Sequence, residues 1–189
     1  MNTPNLLTFI RIVFIPIFVV IYYLPFPWAH LVAAIIFALA AITDWLDGYL
    51  ARNLKQGTKF GAFLDPVADK LLVAVALVLV SAEVGRAYLA IPAAIIVGRE
   101  IVISGLREWM AEIGKRTSMA VTWVAKIKTT MQMIALLLLL LYKPGMSMST
   151  WTLVLGCISL YFAAILTLWS MIMHLKTAWP DLTLGTKTQ

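Results

Sequence analysis

Residues 31–52 read Leu31-Val32-Ala33-Ala34-Ile35-Ile36-Phe37-Ala38-Leu39-Ala40-Ala41-Ile42, then Thr43-Asp44-Trp45-Leu46-Asp47-Gly48-Tyr49-Leu50-Ala51-Arg52. An uninterrupted apolar run with no period-two alternation, ending in two carboxylates, describes a membrane-spanning helix whose last turns become chemical. Similar runs fall near 7–24, 62–80, 87–107, 120–141 and 150–173, separated by turn or charge signals such as Pro25-Phe26-Pro27 and Lys143-Pro144-Gly145. A spanning helix needs about 20 apolar residues. Only helices or closed barrels satisfy backbone polar groups in lipid, so the pattern predicts an all-α integral membrane protein, a bundle of six transmembrane helices.

Composition agrees. The chain has 189 residues, 62% of them hydrophobic, against roughly 45–50% in soluble domains. A separate soluble domain does not fit. Residues 1–176 read as a single transmembrane domain and residues 177–189 as a polar, loosely ordered tail. The first 28 residues read as retained rather than cleaved, because no basic segment precedes the apolar stretch, Arg11 lies inside it and Pro16 interrupts it. The lone Cys157 excludes an internal disulfide and a cysteine metal cluster and reads as a small core or lipid-facing side chain.

The net charge of +6 lacks the aromatic-interleaved arginine stretch of a nucleic-acid surface and instead fits loops facing anionic headgroups. With a cytoplasmic N-terminus, Arg52, Lys55, Lys59, Lys115, Arg116, Lys176 and Lys187 fall on one side, and only Arg86 and Lys143 on the other. This positive-inside bias predicts an active-site cavity facing the cytoplasm. Trp28, Tyr142 and Trp151 fall where interfacial rings anchor helices. His30 and His174 read as interfacial side chains rather than ligands.

The third apolar run opens Gly61-Ala62-Phe63-Leu64-Asp65-Pro66-Val67-Ala68-Asp69-Lys70. Asp44 and Asp47 are three residues apart, Asp65 and Asp69 four, so each pair shares a helical face. Two antiparallel helices joined by a short loop can point all four into one cavity. Hard oxygens suit Mg²⁺ or Mn²⁺ beside substrate phosphates, and two divalent ions balance four carboxylates. Uncompensated, each charge would cost about 2.5–3.5 kcal/mol at the bilayer centre and less near its face.

Simpler readings compete. Asp65 before Pro66 has the form of a helix N-cap, and Asp69 would favour the same helix dipole. That account fails for Asp44 and Asp47, which end a helix, where the dipole disfavours anions. Ion pairs with Arg52, Lys55 or Lys70 would neutralise one or two aspartates without explaining two same-face pairs. Gly48 and Gly61 each cost roughly 1 kcal/mol in a helix relative to alanine, which close approach of a helix or a planar ligand offsets. Arg52 can hold a phosphate or snorkel to the interface; its position one turn past the acidic pair favours the phosphate.

Taken together, Asp44-x2-Asp47-Gly48-x2-Ala51-Arg52-x8-Gly61-x3-Asp65-x3-Asp69 resembles in full the signature of the CDP-alcohol phosphotransferase family. The resemblance extends over nearly the whole chain. It implies transfer of a phosphate-linked group from a CDP-alcohol to an acceptor hydroxyl with release of CMP. It also implies that Asp44, Asp47 and Asp65 ligate two Mg²⁺ or Mn²⁺ ions, and that Asp69 acts as general base within the metal shell. Gly48, Arg52, Thr58 and Gly61 would line the CDP site, with Asn5 and Thr8 of the polar face entering the first span beside them. A homodimer with a cavity open to cytoplasm and lipid is implied as well.

Four cations stand in or beside spans on the predicted cytoplasmic half: Arg99, Arg107, Lys126 and Lys128. Arg99 and Arg107 lie about 80° apart on a helix and can face one cavity. Charges inside a membrane default to function, and this cluster suits an anionic acceptor. The competing reading pairs Arg99 or Arg107 with Glu100 or Glu108 and leaves the lysines flanking a helix end. The runs Arg99-Glu100-Ile101, Leu106-Arg107-Glu108-Trp109 and Lys126-Ile127-Lys128-Thr129-Thr130 are similar to the bacterial branch of the family. That branch uses CDP-diacylglycerol as donor and sn-glycerol 3-phosphate as acceptor, in phosphatidylglycerol and cardiolipin synthesis at the inner membrane. Other family acceptors, such as inositol phosphate, serine or phosphatidylglycerol, form the first alternative. A prenyltransferase has no reason for the glycine and arginine spacing, and a cation transporter would hold its carboxylates near the midplane.

Overall fold

The structure is a computed structural model that describes residues 3–54, 59–113, 123–145 and 149–184; within these, side chains 3–8, 44–54, 59–63, 65, 123–126, 149 and 180–184 are outside the description. Six helices follow one another: α1 Thr3–Tyr22, α2 Ala29–Leu54, α3 Lys59–Val84, α4 Ala87–Glu112, α5 Trp123–Leu140 and α6 Ser149–Leu184. Each apolar run of the sequence is the body of one helix. The ends are less regular. α3 begins at Lys59 and carries Pro66 inside it, so Asp65 does not cap that helix and the N-cap reading is set aside. α6 continues through the expected polar tail as far as Leu184, and residues 185–189 lie outside the described residues.

The core is built from α5 packed along α6, α1 against α2 and α3, and α4 against α6 and α3. Phe18, Phe37, Leu77, Leu89, Ile96, Leu136, Leu139 and Leu160 are fully buried, interleaved with Ala33, Ala76, Ala135 and Ala163. Small residues let helix backbones approach where lipid gives no hydrophobic drive to associate. Gly156 is the tightest such point: a Cβ there would lie 2.7 Å from Leu139 Cγ. The turn between α3 and α4 is made by Gly85 at φ 60, a left-handed conformation that glycine adopts without steric cost.

The outer surface is apolar. Val78, Ile101, Ile158, Ile165 and Trp169 are among many large hydrophobic side chains left exposed, far beyond the scattered few of a soluble monomer. Two described helices are long and apolar enough to cross a membrane, Ala87–Glu112 and Thr150–Trp179, with shorter apolar stretches at Phe9–Tyr22, Ala29–Thr43 and Ile127–Leu140. The chain is a helical membrane protein. At one end Phe26 and Trp28 stack with ring centroids 5.0 Å apart, and Lys143 Nζ donates to the Phe26 carbonyl at 3.4 Å. The charged site gathers at the other end.

Candidate active site

Helices that alternate in direction bring the N-terminal halves of α1, α3 and α5 to the same end as the C-terminal halves of α2, α4 and α6. Side-chain contacts trace this end directly. Arg11 of α1 donates Nη1 to Asp69 Oδ1 of α3 at 2.6 Å, the guanidinium side chain 2% exposed and the carboxylate 38%. Lys70, the next residue of α3, donates to Ser104 Oγ of α4, and Ser104 Oγ donates to the Glu100 carbonyl at 2.6 Å. Hydroxyls that bond back one turn are common where no water is available.

On α4, Arg99 is 6% exposed. Its Nη1 donates to Glu100 Oε1, so the ion-pair reading weighed for this arginine is met in part. Its Nε is nonetheless buried with no hydrogen-bond partner. Lys128 of α5 is also buried, and Arg99, Glu100 and Arg107 lie within electrostatic reach of its ammonium. Arg107 is exposed at the rim. Arg99, Lys128 and Arg107 in turn all bear on His174 of α6. Three of the four expected acceptor-site cations therefore converge; the Lys126 side chain is outside the described residues.

The same applies to the side chains of Asp44, Asp47 and Asp65, of Asn5, Thr8 and Arg52, and to Thr58 altogether. Their backbones still place them. Asp44, Asp47, Gly48 and Arg52 occupy the C-terminal half of α2, and Gly61, Asp65 and Asp69 the first turns of α3. Each aspartate pair is thus about one turn apart on helices joined by a short connection. Among the described residues no cluster of three metal-ligating side chains occurs, since only Asp69 of the four is described. The chemistry of the set fits a hard divalent ion, because it is made of carboxylate oxygens alone and the one described carboxylate is a third exposed rather than enclosed.

Sequence reasoning noted Arg11 but did not foresee its partner. The available signal was the rule that a charge inside a membrane must be paired; the partner's identity was not legible, being 58 positions away. Thr167, Ser170 and Gln132 were also missed, and all three are buried polar residues. Two clefts flank the site. A cavity of about 110 Å³ lies between α1 and α2, bounded by Arg11, Phe14, Leu39 and Thr43. A larger groove of about 550 Å³ runs between α3 and α4, apolar along Leu71 and Val97 and polar at Lys70, Glu100 and Glu108.

A bundle that buries Arg11, Arg99 and Lys128 at the end that holds the Asp69 carboxylate has the form of a membrane enzyme for polyanionic substrates. Residues 1–175 match the CDP-alcohol phosphatidyltransferase family model. A Salmonella typhimurium protein is 55% identical over 181 residues, covering 96% of this chain and 97% of its own. Proteins of Sodalis glossinidius and Yersinia enterocolitica are 56% identical over 182 residues, with the same coverage. All three are named CDP-diacylglycerol–glycerol-3-phosphate 3-phosphatidyltransferase. The chain belongs to the CDP-alcohol phosphatidyltransferase family and is a transferase of phospholipid synthesis; the family generally uses a divalent metal.

Proposed function

We propose that the chain transfers the phosphatidyl group from CDP-diacylglycerol to sn-glycerol 3-phosphate, giving phosphatidylglycerophosphate and CMP. The observation that carries this choice of acceptor is the convergence of Arg99, Arg107 and Lys128 at the end of the bundle that holds Asp69. Relatives at 55% identity named for that reaction support it. A neutral acceptor gives no reason to bury two cations, each of which is costly in lipid unless paired.

In this reading Asp44, Asp47, Asp65 and Asp69 hold two Mg²⁺ or Mn²⁺ ions. When bound, the ions neutralise the diphosphate and make CMP a better leaving group. Gly48, Arg52, Thr58 and Gly61, with Asn5 and Thr8, hold the cytidine diphosphate. Arg99, Arg107, Lys126 and Lys128 hold the acceptor phosphate, so that its hydroxyl faces phosphorus for in-line attack. Asp69 receives the hydroxyl proton. Arg11 fixes the Asp69 carboxylate from behind, so the oxygen offered to the acceptor is a positioned one. The active end faces the cytoplasm in a six-span inner-membrane protein that works as a homodimer.

The test is purified protein with CDP-diacylglycerol, Mg²⁺ and competing acceptors. CMP release should follow addition of glycerol 3-phosphate and not of serine or inositol phosphate. No release with glycerol 3-phosphate, while another acceptor supports turnover, sinks the assignment.

A further inference from the structure

The acceptor site just described draws on α4 and α5, yet α6 packs against both and its polar groups have no part in the reaction so far. Thr167, Ser170 and His174 are spaced three and four residues apart, which puts them on one side of the helix. Thr167 is 1% exposed and Ser170 6%; His174 is half-buried toward the site end. The side they share faces the bundle interior rather than lipid. Arg99 and Arg107 from α4 and Lys128 from α5 all lie within electrostatic reach of the His174 imidazole.

Two buried polar groups, one on α4 and one on α6, are unsatisfied. Arg99 Nε and Thr167 Oγ1 are both buried without a hydrogen-bond partner. Buried polar atoms are nearly always paired, so each such exception needs an explanation. Glu100, paired with Arg99, also bears on Lys128. An acceptor phosphate beside Arg99 would give its Nε an oxygen to bond. An imidazole offers a ring N–H to a phosphate oxygen.

We propose that the C-terminal half of α6 forms the third wall of the acceptor site, with His174 donating a hydrogen bond to the acceptor's phosphate. This assigns a binding role to a histidine that reads, in sequence, as an interfacial side chain. It rests on the acceptor reading above. Arg107 and Lys128 supply charge, which any phosphate attracts; His174 adds direction, which selects how the phosphate sits.

The experiment compares His174→Phe and His174→Gln with Arg107→Ala in the full-length protein in lipid nanodiscs. For His174→Phe, KM for glycerol 3-phosphate should rise by about tenfold, the effect of losing one hydrogen bond to a charged group. KM for CDP-diacylglycerol should stay within about twofold, as expected when uniform binding of one substrate is lost. His174→Gln keeps an N–H donor and should recover most of the affinity. If Arg107→Ala raises KM for glycerol 3-phosphate and His174→Phe does not, the acceptor site stands and the α6 wall is wrong. If neither variant moves it, both readings fall. Equal losses in the Phe and Gln variants, with a matching drop in thermal midpoint, would mean a packing role only and would also overturn the proposal.

Discussion

At Asp69 the carboxylate assigned to the acceptor proton is already gripped by Arg11, from a different helix and from 58 positions away. A guanidinium 2% exposed in a membrane helix needs an anion, because several kcal/mol are at stake when a charge is buried unpaired. Removing either partner therefore does two things at once, and the two substitutions separate them. Asp69→Asn retains shape and a hydrogen-bond acceptor for Arg11 but not the charge; CMP release should fall by at least ~10²-fold, in line with loss of a general base, and the thermal midpoint should fall as well, because the buried guanidinium loses its anion. Arg11→Ala leaves the carboxylate in place but unanchored. Breaking a buried pair costs about 3–5 kcal/mol, and exposure of the Asp69 carboxylate puts this pair below that range, so a moderate fall in midpoint should accompany a partial loss of kcat. Near-normal turnover in Asp69→Asn would remove the base from the mechanism and leave Asp69 as a positioning group. Local sequence signals expose a charge in a span, but the choice of partner is made by tertiary packing, which is why the pair was not legible beforehand.

Element by element, the apolar runs of the sequence became the six helices because lipid leaves the backbone no other way to satisfy itself. What failed was the reading of helix ends. Asp65-Pro66 has the composition of a helix start, yet α3 begins at Lys59; proline is tolerated inside membrane helices because neighbouring groups restore the lost bonding. The far end of α6 is polar, yet it continues helically to Leu184. At 36 residues this helix is about 54 Å long, well beyond the ~30 Å of a hydrocarbon core, so composition marked where lipid ends and not where the helix ends. The glycines show how differently the same residue can behave within these helices. Gly156 abuts the fully buried Leu139 and the backbone-proximal Cβ of Leu138, whereas nothing lies within 4 Å of a Cβ added at Gly98. Gly156→Ala should therefore destabilise the α5–α6 pair by about 1–3 kcal/mol, the usual cost of overpacking. Gly98→Ala should be neutral or stabilising by up to ~1 kcal/mol, the helix-propensity difference. Thermal or denaturant unfolding in detergent would read both, and a destabilised Gly98→Ala beside an unaffected Gly156→Ala would show that this packing is not what holds the bundle.

Over the whole molecule, charge is distributed by end. Arg11, Asp69, Lys70, Arg99, Arg107, Lys128 and His174 gather at one end through contact or electrostatic reach, while the opposite end carries Arg86 at the α3–α4 turn and Lys143 against the Phe26 carbonyl. Acidic residues follow the same division, with Glu83 the exception near Gly85. The sequence made this asymmetry legible through its loop lysines and arginines, but not the depth to which Arg99 and Lys128 are buried. Function and insertion then make one demand. A charged, water-soluble acceptor can reach buried cations only from the aqueous side on which it is made, and basic loops are retained on the cytoplasmic side during insertion. The active end should therefore face the cytoplasm. In a Cys157→Ala background, Arg86→Cys should react with a membrane-impermeant maleimide after selective permeabilisation of any outer barrier, and Lys115→Cys, between α4 and α5, only after the cytoplasmic membrane is opened. The reverse pattern would place the carboxylates and the acceptor cations on the wrong side for a cytoplasmic phosphate ester, and the proposed acceptor would fall with the orientation.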